Sequence, residues 1–342
     1  MKAKAAFVKS PFHFEIRDVP LRNITADEVL VKIKACGICG TDLHIARTEA
    51  KDFQPFGHEI AGIVEKAGGK VTEVKVGDSV LIESGSYCGV CEICRNGRVD
   101  LCNKAPNVFT RAEQGLTMGF AEYLIAYKQN VVPFTGISME AASLVEPMGV
   151  ALDLFYTTHP ELNDDILVIG LGPIGLMALK LAKMAGARHV YGAAHSTSKA
   201  RIEMAKTLGA DDVILTDKVD LREYKFPRGG VDKIMVTAPP RAIEDAVKVA
   251  NIGGVIGFLG IEYGKGANIT LDANYFHFKK LQLRASYAAP ALYFPRCIDL
   301  IKSGAIDTAG LITHKFKLDD ISEAMELVAK DKASVIKAVM VD

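Results

Sequence analysis

The sequence predicts an α/β chain in two parts: a β-rich region over about residues 1–140, then a doubly wound parallel sheet. Three observations carry this. Short strand-like segments punctuated by Gly, Pro and Asp fill the first part. From "DDILVIG" (164–170) onward, short apolar strands alternate with helical stretches. The first of those strands runs directly into "GLGPIG". Strands that are apolar throughout, rather than alternating, fit a parallel sheet covered on both faces by crossover helices.

Taken in order, "EVLVKIKA" (28–35) puts Val29, Val31, Ile33 and Ala35 on one face, as a half-buried strand does. "GIVEKAG", "GDSVLIE" and "AEYLIAY" are further short strands. Together they suggest an irregular antiparallel barrel or sandwich with long loops. The character changes near Glu146. "GLMALKLAKMAGA" reads as the first helix and "HVYGAA" as the second strand of the parallel region. The helix "KARIEMAKTLGA", the strands "DVIL" and "DKIMVTA", the helix "RAIEDAVKVA" and the strands "GVIGFLG" and "LQLRASY" follow. Segment 216–231 is too short for a full crossover helix. Helices at 291–303 and 319–330 and a strand "ASVIKAVMV" (333–341) complete the chain.

At 342 residues there is room for about two domains with their own cores. A hydrophobic share of 49% and a charged share of 24% are those of an ordinary soluble protein. Forty-one basic residues balance forty-one acidic ones, so bulk charge favours neither nucleic acid nor an anionic membrane. The run "ILVIGLGPIGLMAL" is broken by glycines and a proline, and falls short of the roughly 18–20 residues of a bilayer span. The N-terminus does not read as a signal peptide, and the cysteine count is odd at seven. A reducing cytoplasm is the expected location.

Three motifs carry chemistry. In "GLGPIG", Gly170, Gly172 and Gly175 flank Pro173 and Ile174 between a strand and a helix. Gly170 permits a tight turn, Gly172 lets a pyrophosphate approach the backbone, and Gly175 lets helix and strand pack closely. The helix N-terminus then offers free N–H groups to phosphates. In "YCGVCEICRNGRVDLC", Cys88, Cys91, Cys94 and Cys102 have spacings that close a tetrahedral thiolate shell around Zn²⁺. Such a shell has no open position, so this metal would pin a loop rather than react. A zinc module for nucleic acid would need a basic stripe and interleaved aromatics, which the flanks lack. The third motif is dispersed: Cys39 in "CGICGTDLH", His58 and Glu59 in "FGHEIAG", and Glu146 in "LVEPMG". Singly, each is more often structural. Beside a dinucleotide site, they suggest an open zinc site of about three protein ligands.

These motifs together, with G-H-E-x2-G-x5-G-x2-V at 57–71 and the E-P pair at 146–147, resemble the zinc-dependent medium-chain dehydrogenases. The polyol (sorbitol) and threonine dehydrogenase branch is the nearest in pattern. The resemblance implies a GroES-like catalytic domain at 1–148 and 289–342, with a structural zinc lobe at about 84–105. It implies a Rossmann domain inserted at 149–288. It also implies two Zn²⁺ per chain. Thr41 would lie against the substrate oxygen, His44 would pass the proton outward, and Asp42 would orient His58. Relatives are commonly homodimers or homotetramers, which the apolar "GVIGFLG" and "LQLRASY" strands fit without requiring.

Charge bears on the two glutamates. Zn²⁺, the Cys39 thiolate, neutral His58 and one carboxylate sum to zero; a second carboxylate makes the site negative. Glu59 and Glu146 are therefore not expected to bind tightly together while an alcohol is bound. The cofactor reading turns on the end of the second strand, where an acid about 20 residues past the glycines grips the ribose 2′-OH of NAD. That place falls near Ala194, and Ser196, Lys199 and Arg201 follow instead. Hydroxyls and cations suit a 2′-phosphate, so NADP(H) is expected over NAD(H).

The expected substrate is a secondary alcohol or ketone of a polyol, sugar or sugar derivative. Arg47, Lys51 and Arg111 are candidates for a charged substrate group, with a solvated surface role as the plainer reading. Other readings are a threonine-type amino-alcohol dehydrogenase, a zinc-free silent relative, and a zinc-dependent nucleic-acid-binding protein.

Overall fold

The computed structural model describes residues 1–104, 117–287 and 292–342, so the domain boundary expected at 288/289 and the last residue of the expected zinc lobe lie outside it. Two compact units emerge. The first comprises Met1–Gly149, Ala289–Asp331 and Lys337–Asp342; the second comprises Val150–Ala288 and Lys332–Ile336.

The first unit holds two sheets. In the smaller, His13–Pro20, Lys2–Lys9 and Gln54–Pro55 pair in that order. The larger runs Ile312–Phe316, Lys337–Val341, Glu28–Gly37, Glu59–Ala67, Ser79–Ile82, Val131–Pro133, with Tyr123–Tyr127 also paired to Glu28–Gly37. All its pairings are antiparallel except that of Ile312–Phe316 with Lys337–Val341. The Glu28–Gly37 strand is not half-buried as its alternation suggests. Val29, Val31 and Ile33 enter the main core, while Leu30 on the other face joins Ala3, Leu21 and Ile125 in a second cluster. Being central, the strand is covered on both sides.

The second unit is a six-stranded parallel sheet ordered Asp212–Leu215, His189–Ala194, Asp165–Ile169, Val231–Val236, Ala250–Phe258, Gln282–Ala285. By chain order within the unit this is 3-2-1-4-5-6, the arrangement that opens a ligand crevice where the order reverses. The helices Pro173–Met184, Lys199–Thr207 and Ala242–Val249 supply crossovers. The crossover from Leu215 to Val231 holds only the short 3₁₀ turn Leu221–Glu223. Aromatic rings cover the sheet there: Phe226 meets Tyr191 at 5.1 Å and Tyr224 at 4.7 Å between centroids. No helix among the described residues is long and apolar enough to cross a membrane.

Candidate active site

Cys39, His58 and Glu59 come from three different local settings. Cys39 precedes the one-turn helix Gly40–His44, His58 sits in a loop, and Glu59 begins the strand Glu59–Ala67. Asp42, fully buried, ties two of these together. Its carboxylate accepts from the Cys39 N–H at 2.8 Å and from the Gly57 N–H at 3.2 Å. His58 Nδ1 lies 3.5 Å from the same carboxylate. The result is one thiol, one imidazole and one carboxylate whose donor atoms all fall within 4.8 Å of one another. Burial disfavours the His58 imidazolium, but Cys39 and Asp42 outweigh it and raise its pKa well above the usual value.

Glu146, buried near the start of the helix Val145–Thr158, does not join that group of donor atoms. Its carboxylate accepts from Ser84 Oγ at 3.4 Å. Burial, opposed by His58, pushes it up to about 7. Thr41 is exposed, with its hydroxyl 3.8 Å from Cys39 Sγ. His44 is half-buried. The π-helical turn Ile45–Glu49 brings Thr48 Oγ1 to 3.4 Å from its Nδ1 and Glu49 to 3.6 Å from its Nε2.

Sequence reasoning misses Lys337. This lysine, in the strand Lys337–Val341, is buried with Glu59: its ammonium donates to Glu59 Oε1 at 2.6 Å and to the Ile38 carbonyl at 2.8 Å. A Cβ at Gly37 would sit 2.0 Å from Glu59 Oε2 and 2.8 Å from Lys337 Cε, so only glycine leaves room for the pair. A lone lysine inside an apolar strand is the sequence signal that could have exposed it, since lysine is rarely buried unpaired.

The four sulfurs of Cys88, Cys91, Cys94 and Cys102 also gather within 4.8 Å. Cys91 N–H points at Cys88 Sγ and Cys88 N–H at Cys102 Sγ, each at 3.4 Å. Backbone N–H groups of Val90 and Cys91 pull the Cys88 thiol down to about 6, whereas burial and neighbouring sulfurs push Cys94 up to about 12. A tetrahedral thiolate shell fits this donor set. No disulfide links any of the cysteines.

In the second unit, Gly170 turns with φ +98° at the end of its strand. Gly172 precedes the helix Pro173–Met184, with Pro173 first and Ile174 second. A Cβ on Gly175 would stand 1.9 Å from the Gly170 carbonyl, which is the close helix–strand packing this glycine serves. Thr237 Oγ1, unforeseen from sequence, donates to that carbonyl at 2.7 Å. Beyond Ala194, the Ser196 N–H and hydroxyl both donate to Asp217, at 2.7 and 2.6 Å. Lys199 is exposed, and Arg201 turns its Nε to the Val335 carbonyl at 3.0 Å. Arg47 and Lys51 are exposed; Arg111 lies outside the described residues.

Two family models match: an alcohol dehydrogenase GroES-like domain over residues 25–136 and a zinc-binding dehydrogenase over 173–303. Among curated relatives, L-threonine 3-dehydrogenase of Chromobacterium violaceum is 32% identical, covering 94% of this chain and 95% of its own. Sorbitol dehydrogenase of Bacillus subtilis is also 32% identical, covering 98% and 96%. Among solved structures, a zinc-binding dehydrogenase from Sinorhizobium meliloti 1021 bound to NADP aligns with a TM-score of 0.87 at 25% identity, over 100% of both chains. An alcohol dehydrogenase from E. coli CFT073 complexed with NADH aligns at 0.90 and 27%, over 100% of this chain and 99% of that one.

Proposed function

The chain belongs to the zinc-dependent medium-chain alcohol and polyol dehydrogenases and is an oxidoreductase, and from that premise we propose that it moves hydride between NADP(H) and a secondary alcohol or ketone of a polyol, sugar or sugar derivative. The observation carrying this is the convergence of Cys39, His58 and Glu59 on one point. A bound Zn²⁺ there acts as a Lewis acid that makes a substrate hydroxyl easier to deprotonate. Cys39, His58 and Glu59 would hold it, with the buried Glu146 as the further carboxylate candidate. Lys337 revises the charge argument: it cancels Glu59, so both glutamates can stand near the metal at zero net charge.

The remaining work falls to the chain's own side chains. Asp42 holds the Cys39 and His58 loops at fixed spacing and faces the imidazole nitrogen not used for the metal. Thr41 presents a hydroxyl that would accept the substrate proton only while handing on its own. His44, partly solvated and backed by Thr48 and Glu49, passes it outward.

The preference for NADP(H) is supported by Ala194 standing where an acid would grip a 2′-hydroxyl, and by the exposed Lys199 that follows it, while both donors of Ser196 are held by Asp217. A structural zinc at Cys88, Cys91, Cys94 and Cys102, a cytoplasmic location fitting seven free thiols, and a homodimer or homotetramer complete the proposal. The edge position of Gln282–Ala285 in the six-stranded sheet supports self-association there. A threonine-type amino-alcohol dehydrogenase is the second reading, favoured by the threonine dehydrogenase relatives.

The test is absorbance at the reduced-nicotinamide band in zinc-replete buffer. Polyols, sugars, sugar acids, inositols and L-threonine are offered with NAD⁺ and NADP⁺, and ketoses and keto-acids with the reduced forms. Turnover of a polyol or sugar with NADP⁺ is expected. Turnover of L-threonine alone would select the second reading, and turnover with NAD⁺ alone would remove the phosphate pocket.

A further inference from the structure

We propose that Asp217 is a specificity-determining residue of the dinucleotide site, whose carboxylate, clasped to Ser196, works against a 2′-phosphate and holds down the preference for NADP(H). This deepens the proposed function and rests on its reading that the residues following Ala194 meet the adenosine ribose.

The strands His189–Ala194 and Asp212–Leu215 are parallel neighbours, with Ala194 opposite Leu215 and the Thr216 N–H on the Ala194 carbonyl at 3.0 Å. Residues just past both strands therefore lie side by side at the carboxyl edge of the sheet, where ligands of such sheets bind. Asp217 thus brings from the third strand the acid that the second strand lacks. It accepts both donors of Ser196, N–H at 2.7 Å and hydroxyl at 2.6 Å. Its side chain keeps 24% exposure, and Lys218 is 3.7 Å away. The two Ser196 bonds hold it ionised, at about 2.

A serine has one hydroxyl hydrogen and one N–H. With both committed to Asp217, Ser196 has nothing left to donate to a phosphate. A phosphate oxygen that took the hydroxyl instead would lie within about 5–6 Å of a carboxylate of like charge. Asparagine at 217 reverses both effects. Its carbonyl still accepts the Ser196 N–H, while its amide donates to Ser196 Oγ and turns the hydroxyl hydrogen outward.

The test is fluorescence titration of the zinc-replete enzyme with NADPH and NADH, comparing wild type, Asp217→Asn, and the pair Ser196→Asp with Lys199→Ala. Asp217→Asn is expected to move the ratio of NADPH to NADH affinity about tenfold toward NADPH, a change of about 1.4 kcal/mol. A ratio within twofold of wild type, with the paired variant shifting it toward NADH, would overturn the role of Asp217 and leave the ribose assignment standing. If neither variant moves the ratio, residues 195–201 do not meet the ribose and both readings fall. Should the asparagine variant lose its thermal transition, Asp217→Ser, which can still accept the N–H, is read by the same ratio.

Discussion

Replacing Lys337 with methionine removes the ammonium that donates to Glu59 at 2.6 Å inside the first unit. The pair is buried, with side-chain exposures of 3% and 1%, so the orphaned carboxylate has no water to turn to. Breaking a buried pair from one side costs about 3–5 kcal/mol. For a unit of this size, that lowers the melting midpoint by about 10 °C. Glu59→Gln combined with Lys337→Met removes both charges and is expected to recover at least half of the loss. Calorimetry of the zinc-replete protein, wild type against both single variants and the pair, reads this directly. Burial alone would lower the lysine pKa, but Glu59 outweighs it and raises it from 10.5. The pair's stabilisation is therefore complete below 10.5 and fades only as pH rises through the still higher folded value. The deficit of Lys337→Met should be constant from about pH 6 to 9. A midpoint within 2 °C of wild type (below about 1 kcal/mol), or a double variant no better than Lys337→Met, would refute the reasoning.

Other outcomes can be checked alongside. Glu83, 3% exposed, is pushed up to about 8 by burial, so it holds its proton more tightly folded than unfolded. Stability then falls as pH rises from 4.5 to about 8, and Glu83→Gln should be more stable than wild type at pH 9 by up to about 5 kcal/mol, with the gap nearly closed at pH 4. Cys94→Ser is expected to lower bound zinc by about one ion per chain in elemental analysis and to reduce the melting midpoint. Thr41→Val should lower kcat/KM for the best alcohol by about 100-fold with no change in melting, as steady-state kinetics and calorimetry together would show.

What the sequence reveals follows how local each feature is. The glycine turn is legible because Gly170, Gly172 and Gly175 act within one strand–helix junction. The four cysteines are legible because their spacing alone permits a shell, and the folded chain brings their sulfurs together. The parallel sheet shows itself in apolar strands such as "HVYGAA", which the structure reproduces at His189–Ala194. Partners brought by tertiary pairing stay hidden. Lys337 reaches Glu59 across 278 positions, and Asp217 reaches Ser196 only because their strands are neighbours. Burial of Leu30 on the second face of its strand likewise depends on Ala3, Leu21 and Ile125, which no alternation pattern in 28–35 can report.

The distance in sequence between Glu59 and Lys337 also orders events in time. During synthesis the whole second sheet, from Asp165 to Ala285, leaves the ribosome before the lysine does. That sheet has all six of its strands while the first unit still lacks Lys337–Val341, one of the strands that pair with Glu28–Gly37. Until Lys337 arrives, sealing Glu59 into the core of the first unit means stranding a naked carboxylate in a dry interior. The order of the chain therefore makes the last internal strand, not the first ones, the element that completes the surroundings of Glu59.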